Sequence, residues 1–184
     1  MSTRRPVVGV MGGSASAPRT LEAARRFGRL AAEAGWVVLT GGCPAGVMEA
    51  ASAGAKSVPG GLTVGILPSG PEGSVSAAVD IAIFTGVGEA RNAINVLSSD
   101  VVVACGVEGP GTASEVALAL RLARPTVLLA PSAEAAAFFR TIDPEGSLNE
   151  VGTPEEAVDL IEHRLGIARW TALQTREHTR KGSA

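Results

Sequence analysis

Apolar residues recur along this chain in two alternating periods. Val101-Val-Val-Ala-Cys105 is an unbroken run of β-branched and small residues, the pattern of a central parallel strand covered on both faces. Gly106, Gly109 and Gly111 then break the period, and from Thr112 a run rich in Ala and Leu takes up helical spacing. The stretch 100–124 therefore reads strand, glycine loop, helix, with a helix N-terminus aimed out of a sheet edge. The first N–H groups of such a helix lack intrahelical partners and carry the positive end of the dipole, which favours a phosphate or carboxylate there. Thr112-Ala-Ser-Glu115 also reads as a capping box, with Thr112 at N-cap and Glu115 at N3.

The same alternation fills the rest of the chain. Strands are expected over 6–11, 36–40, 62–67, 81–84 and 125–130, with a small edge strand over 148–151. Helices are expected over 20–34, 47–55, about 91–97 and 134–139. A last helix opens with Thr153 at N-cap, Pro154 at N1 and Glu156 at N3, and Gly166 ends it. Strand and helix in turn imply an α/β fold, a doubly wound parallel sheet with helices on both faces in three layers. Loops that follow strands then share one edge. Gly12, Gly13 and Ser14, Gly41 and Gly42, and Gly109, Gly111 and Thr112 should line one crevice beyond the carboxyl ends of the strands. The helix after Thr112 is apolar nearly all round (Val116 to Leu120, Leu122, Ala123), so a homo-oligomer, dimer or tetramer, is expected to cover it.

Composition narrows the partners. The chain has 184 residues and 46% hydrophobic content, which suits one domain, expected over 1–166; residues 167–184 lack core periodicity and read as a loosely held tail. A net charge of −2, 3% aromatics and no Tyr argue against nucleic acid as a partner. No stretch has the length of a membrane span, and Arg4 and Arg5 precede no apolar signal region, so no membrane partner and a cytoplasmic location are expected. Cys43 and Cys105 are too few for a disulfide framework or zinc knuckle and read as small buried apolar residues, and no residues carry metal-ligand spacing, so no metal is expected. His163 and His178 read as solvated surface residues, and no nucleophile elbow or P-loop lysine is present. Met11-Gly-Gly-Ser-Ala-Ser16 is not G-x-G-x-x-G, and the second strand ends in Thr40-Gly41 rather than an acid, which argues against a dinucleotide.

Four segments together resemble a known group. Gly41-Gly-Cys-Pro-Ala-Gly-Val-Met48, Val64-Gly-Ile-Leu-Pro68, Arg91-Asn92 and Gly109-Pro-Gly-Thr-Ala-Ser-Glu115 are similar, in order and spacing, to the Lonely Guy and molybdenum-cofactor carrier group of Rossmann-like proteins, over about Val7 to Leu165. In the enzymes of that group a P-G-G-x-G-T-x-x-E loop binds the phosphate of a nucleoside monophosphate. An arginine and the loop glutamate assist cleavage of the N-glycosidic bond, giving free base and ribose 5-phosphate. By resemblance the catalytic pair would be Arg91 and Glu115. Two departures fall at these motifs: Arg91-Asn92 where the enzymes carry Arg-Lys, and Glu108-Gly109-Pro110 where they carry P-G-G. Both are closer to the carrier branch, which binds and protects a pterin cofactor.

The resemblance thus implies a phosphate-bearing, nucleotide-like ligand held by Gly12, Gly13, Ser14, Gly41, Gly42, Arg91, Asn92, Gly109, Gly111 and Thr112. The molybdenum cofactor would be cargo, with no cofactor required. The alternative it leaves open is a phosphoribohydrolase acting on a cytokinin-type nucleoside 5′-monophosphate. Glu115 keeps three readings: a helix cap, a carboxylate facing the sugar, or a partner held by Arg91, which would lower its pKa.

Overall fold

The structure, a computed structural model, describes residues 4–143, 145–163 and 166–167. In chain order the elements are β1 (Val7–Met11), α1 (Pro18–Glu33), β2 (Val37–Thr40), α2 (Gly46–Lys56), β3 (Leu62–Leu67) and β4 (Ile81–Phe84). A short 3₁₀ turn at Gly88–Ala90 leads into α3 (Arg91–Leu97), followed by β5 (Val101–Cys105), α4 (Pro110–Arg121), β6 (Thr126–Leu129), α5 (Ala133–Thr141), β7 (Leu148–Val151) and α6 (Pro154–His163). The strands form one parallel sheet in the order β4-β3-β2-β1-β5-β6-β7. The chain winds outward from β1 to β4, returns to lay β5 on the other side of β1, and winds outward again. The switch point between β1 and β5 is where loops after strands splay apart and leave a crevice. The doubly wound, three-layer fold read from the sequence is the fold observed.

Burial on both sheet faces explains the unbroken apolar strands. Val8, Val10, Val101, Val103 and Cys105 pack on one face beneath α1, α2 and α6, with Phe27, Ala51 and Ile161 in the same cluster. The alternate residues Met11, Leu39, Val102 and Ala104 face the other way, beneath Val96 of α3 and Val116, Ala119 and Leu120 of α4. Small residues set how closely α1 and α2 approach. A Cβ at Gly28 would lie 2.1 Å from the Ala51 carbonyl oxygen, and one at Gly54 2.0 Å from that of Arg25.

Two helices start two residues ahead of the sequence reading, the others within one. α1 begins at Pro18 and not Thr20, and α4 begins at Pro110 and not Thr112. In each case a proline occupies the first turn, where a missing N–H costs nothing and a fixed φ is already helical. The capping box at Thr112 is therefore not formed: Gly109 is the N-cap of α4, no side chain caps it, and Thr112 and Glu115 both lie inside the helix. The box at α6 does form. Thr153 Oγ1 accepts from the Glu156 N–H at 3.2 Å, while Glu156 Oε2 accepts from the N–H groups of Gly152 and Thr153 at 2.8 and 3.1 Å. Whether Gly166 ends α6 depends on residues 164–165, and these, like the tail expected from 167 apart from Ile167, lie outside the described residues.

Candidate functional site

A crevice of about 390 Å³ opens at the carboxyl ends of β1, β2 and β5. It gathers the glycine joints from three strands: Gly12, Gly13 and Ser14 after β1, Gly41 after β2, and Gly109, Gly111 and Thr112 at the start of α4, together with Arg91 and Asn92 from α3 and Glu115 from α4. Gly42 alone among the expected residues is not on the wall. Its φ of +75° turns the chain away, its N–H reaches Thr40 Oγ1 at 3.1 Å, and its Cα packs against Gly65 of β3. Gly42 is a turn residue.

The glycines serve different ends. A Cβ at Gly12 would sit 2.5 Å from Val47, so that position is small in order to let α2 close on the β1 loop. Side-chain space at Gly109 and Gly111 is empty to 4 Å. There the backbone at the α4 N-terminus stands open to a ligand, with no side-chain cap competing for its N–H groups. At Gly41 a Cβ would fall 2.1 Å from Arg91 Nη1 and 2.7 Å from Met48 Sδ. Gly41 is the floor on which the Arg91 guanidinium lies.

Arg91 is 8% exposed, and its Nε is buried without a hydrogen-bond partner. Ion pairs among the described residues leave Arg91 and Glu115 unjoined; those formed are surface pairs such as Arg26–Glu155 and Lys56–Asp80. A buried, permanently charged group with an unmet donor is costly unless something else meets it. Glu115, 6% exposed, is held differently: Oε1 accepts from Asn95 Nδ2 at 2.8 Å. Burial raises its pKa, against the lowering effects of Asn95 and the Arg91 charge, and Glu89 adds to the rise. So Glu115 neither caps a helix nor sits in a salt bridge, and its pKa moves up rather than down.

Neighbours brace these groups. Asn92 Nδ2 donates to Ser114 Oγ at 2.9 Å, and Ser114 Oγ donates to the Gly111 carbonyl at 2.7 Å, tying α3 to the first turn of α4. Glu108 lines the crevice and accepts from Thr20 Oγ1 at 3.0 Å, which draws its carboxylate towards α1. Sequence reasoning did not place Cys43, Met48, Met11 or Pro68 on the wall, although all line it. Cys43, read as a small buried apolar residue, is instead partly exposed here, because the loop after β2 carries it to the sheet edge; Met48 ends the resembling segment, but its apolar type reads as core.

Comparison with known proteins gives this geometry a family. Residues 5–158 match the model of the SLOG cluster4 family, LDcluster4, and the chain belongs to that family. Among solved structures it is similar to the molybdenum cofactor binding protein of the phototrophic bacterium Rippkaea orientalis, with 49% identity, a TM-score of 0.84, and coverage of 89% of this chain and 99% of that one. The molybdenum cofactor carrier protein of Chlamydomonas reinhardtii is similar at 44% identity and TM-score 0.82, over 89% and 99% of the two chains. An uncharacterized protein of Archaeoglobus fulgidus is 42% identical over 152 residues, 83% of this chain and 91% of that protein. The group that the four sequence segments resemble, carrier branch included, is the one in which the chain falls.

Proposed function

We propose that the chain binds and carries the molybdenum cofactor, a phosphate-bearing pterin, in the crevice between β1 and β5. One observation carries the reading: Arg91 is buried on that wall with an unmet donor, beside an α4 N-terminus whose backbone is open. A phosphate on the Gly109–Thr112 turn would meet free N–H groups and the positive end of the helix dipole. Arg91 would supply a charge-assisted bond to the same ligand. Apolar Met48 and Pro68 lie on the wall where a flat ring would pack. The proteins from Rippkaea and Chlamydomonas support the cargo by their similarity. The test is an anaerobic calorimetric titration with the cofactor: one site per chain is expected, lost in Gly111→Val, and equal affinity in that variant would refute the site.

A second reading rests on Glu115. A carboxyl group with a raised pKa in the same crevice as an unpaired arginine suits N-glycosidic cleavage of a nucleoside 5′-monophosphate. Release of free base by the native chain would favour it. Carriage also fits a homo-oligomer in the cytoplasm. Ile94 and Leu97 of α3 and Leu122 of α4 are 37%, 54% and 44% exposed on two helices packed against each other, and a second subunit would cover them. No helix among the described residues is long and apolar enough to cross a membrane.

A further inference from the structure

We propose that Cys43 is a thiol–disulfide exchange site, at which a low-molecular-weight thiol becomes covalently attached, fills the crevice and excludes its anionic ligand. Cys43 is partly exposed and lines the same wall as Arg91. Both groups adjoin Gly41: the Cys43 thiol donates to the Gly41 carbonyl oxygen at 3.7 Å, and Arg91 Nη1 lies 2.1 Å from where a Cβ on Gly41 would stand. The second observation is Arg91 itself, more than nine-tenths buried, with Nε unpartnered, on the wall that the thiol faces. A thiol that shares a crevice with such a cation is placed to take up an anionic disulfide. α2 adds its N-terminus three residues on, without a side-chain cap. Glu89, Glu108 and Glu115 face the same space and oppose the approach of an anion, Glu108 being drawn towards Thr20.

The step is an exchange. The Cys43 thiolate attacks one sulfur of a low-molecular-weight disulfide such as glutathione disulfide, a Cys43–S–S–R bond forms, and the second sulfur leaves as a thiolate. No electron is gained or lost overall, and the oxidant is the disulfide. Carboxylates of the attached tripeptide would then lie within reach of Arg91. Cys105 is the internal control, since it is 0% exposed in β5 and burial pushes its thiol up to about 12.

The inference about the excluded ligand rests on the carrier reading, so the test has arms that do and do not depend on it. The full-length chain is treated with glutathione disulfide and its intact mass and peptides are measured. One adduct at Cys43 is expected, with none on Cys105 and none in Cys43→Ser. Exchange rates are then compared for a dianionic aryl disulfide and an uncharged dipyridyl disulfide. Arg91→Gln should slow the first several-fold and leave the second nearly unchanged. Absence of the Cys43 adduct, or equal slowing of both reagents, would overturn the proposal. In the last arm the adduct should bind the molybdenum cofactor at least tenfold more weakly than the reduced chain, with recovery on adding dithiothreitol. Undiminished binding by the adduct also overturns it. If the reduced chain binds no cofactor, the carrier reading fails, and so does the claim that the adduct excludes that ligand, whereas the first two arms still judge the exchange site.

Discussion

Gly41→Ala offers the sharpest perturbation of the site, because it adds one methyl group and removes no ligand contact of its own. That methyl would stand 2.1 Å from Arg91 Nη1, 2.8 Å from Arg91 Cζ and 2.7 Å from Met48 Sδ. All three atoms belong to the far ends of flexible side chains, so the guanidinium swings away and the backbone stays. The fold should lose about 1–3 kcal/mol, the usual range for overpacking, and stay cooperative. Binding loses the charge-assisted bond from Arg91, about 1.5–3 kcal/mol, or roughly tenfold to somewhat over a hundredfold in dissociation constant. The decisive assay is a double-mutant cycle by calorimetry on the native chain, Gly41→Ala, Arg91→Ala and the double variant. Since Gly41→Ala acts chiefly through Arg91, with a smaller share through Met48 Sδ, most of its cost should vanish in the Arg91→Ala background. Additive losses would show that Gly41 has its own role at the ligand, and the account of the guanidinium on its floor would be wrong.

The other expectations concern stability, pH and assembly. Gly28→Ala and Gly54→Ala press a methyl group onto the carbonyls of Ala51 and Arg25, which are backbone and cannot swing aside; each should lower the melting temperature by several degrees without changing ligand affinity, as thermal scans and titration would show. Glu115 has a folded pKa above its ordinary value, so its ionisation costs stability as pH rises through and beyond the ordinary carboxylate range; Glu115→Gln should gain on the native chain as pH increases, in melts run from acid to neutral pH. Asp100 goes the other way. Partial burial pushes its carboxyl up, but Arg4, the Val7 N–H and the charge of Arg124 together hold it below its ordinary value. Its contribution is present above the ordinary carboxylate pKa and lost as pH falls through the lower folded one, so Asp100→Asn should flatten the acid limb of the stability curve. If a second subunit covers α3 and α4 as proposed, the native chain should be larger than a monomer by light scattering and Leu97→Arg with Leu122→Glu a monomer; a native chain that is already monomeric would remove that part of the account.

What the sequence disclosed follows from which forces act locally. Unbroken runs such as Val101–Cys105 and the glycine joints after them report burial and turn geometry directly, and their alternation with helices gives the doubly wound class, whereas the strand order is set by long-range pairing and was not read. The crevice was legible for the same reason, since every loop after a strand falls on one edge. The role of Glu115 was not. Its capping-box pattern is a four-residue signal, but Pro110 started the helix earlier, and the true partner, Asn95, comes from another helix 20 residues away. The Asn92–Ser114–Gly111 brace and the Thr20–Glu108 bond join distant segments in the same way and leave no local trace. Gly42 was misplaced because a glycine pair reads alike whether its members face a ligand or turn the chain; only the fold assigns Gly41 to the guanidinium and Gly42 to the turn.

Retention against turnover tests the central claim most directly. The native chain and Arg91→Ala are incubated anaerobically with the molybdenum cofactor and a panel of nucleoside 5′-monophosphates, and mass spectrometry follows both the protein-bound and the released species. The carrier account predicts intact cofactor on the native chain, weaker retention on Arg91→Ala, and no free base or ribose 5-phosphate from any nucleotide. Free base with ribose 5-phosphate from the native chain, absent in Glu115→Ala, would contradict it and make Arg91 and Glu115 a catalytic pair.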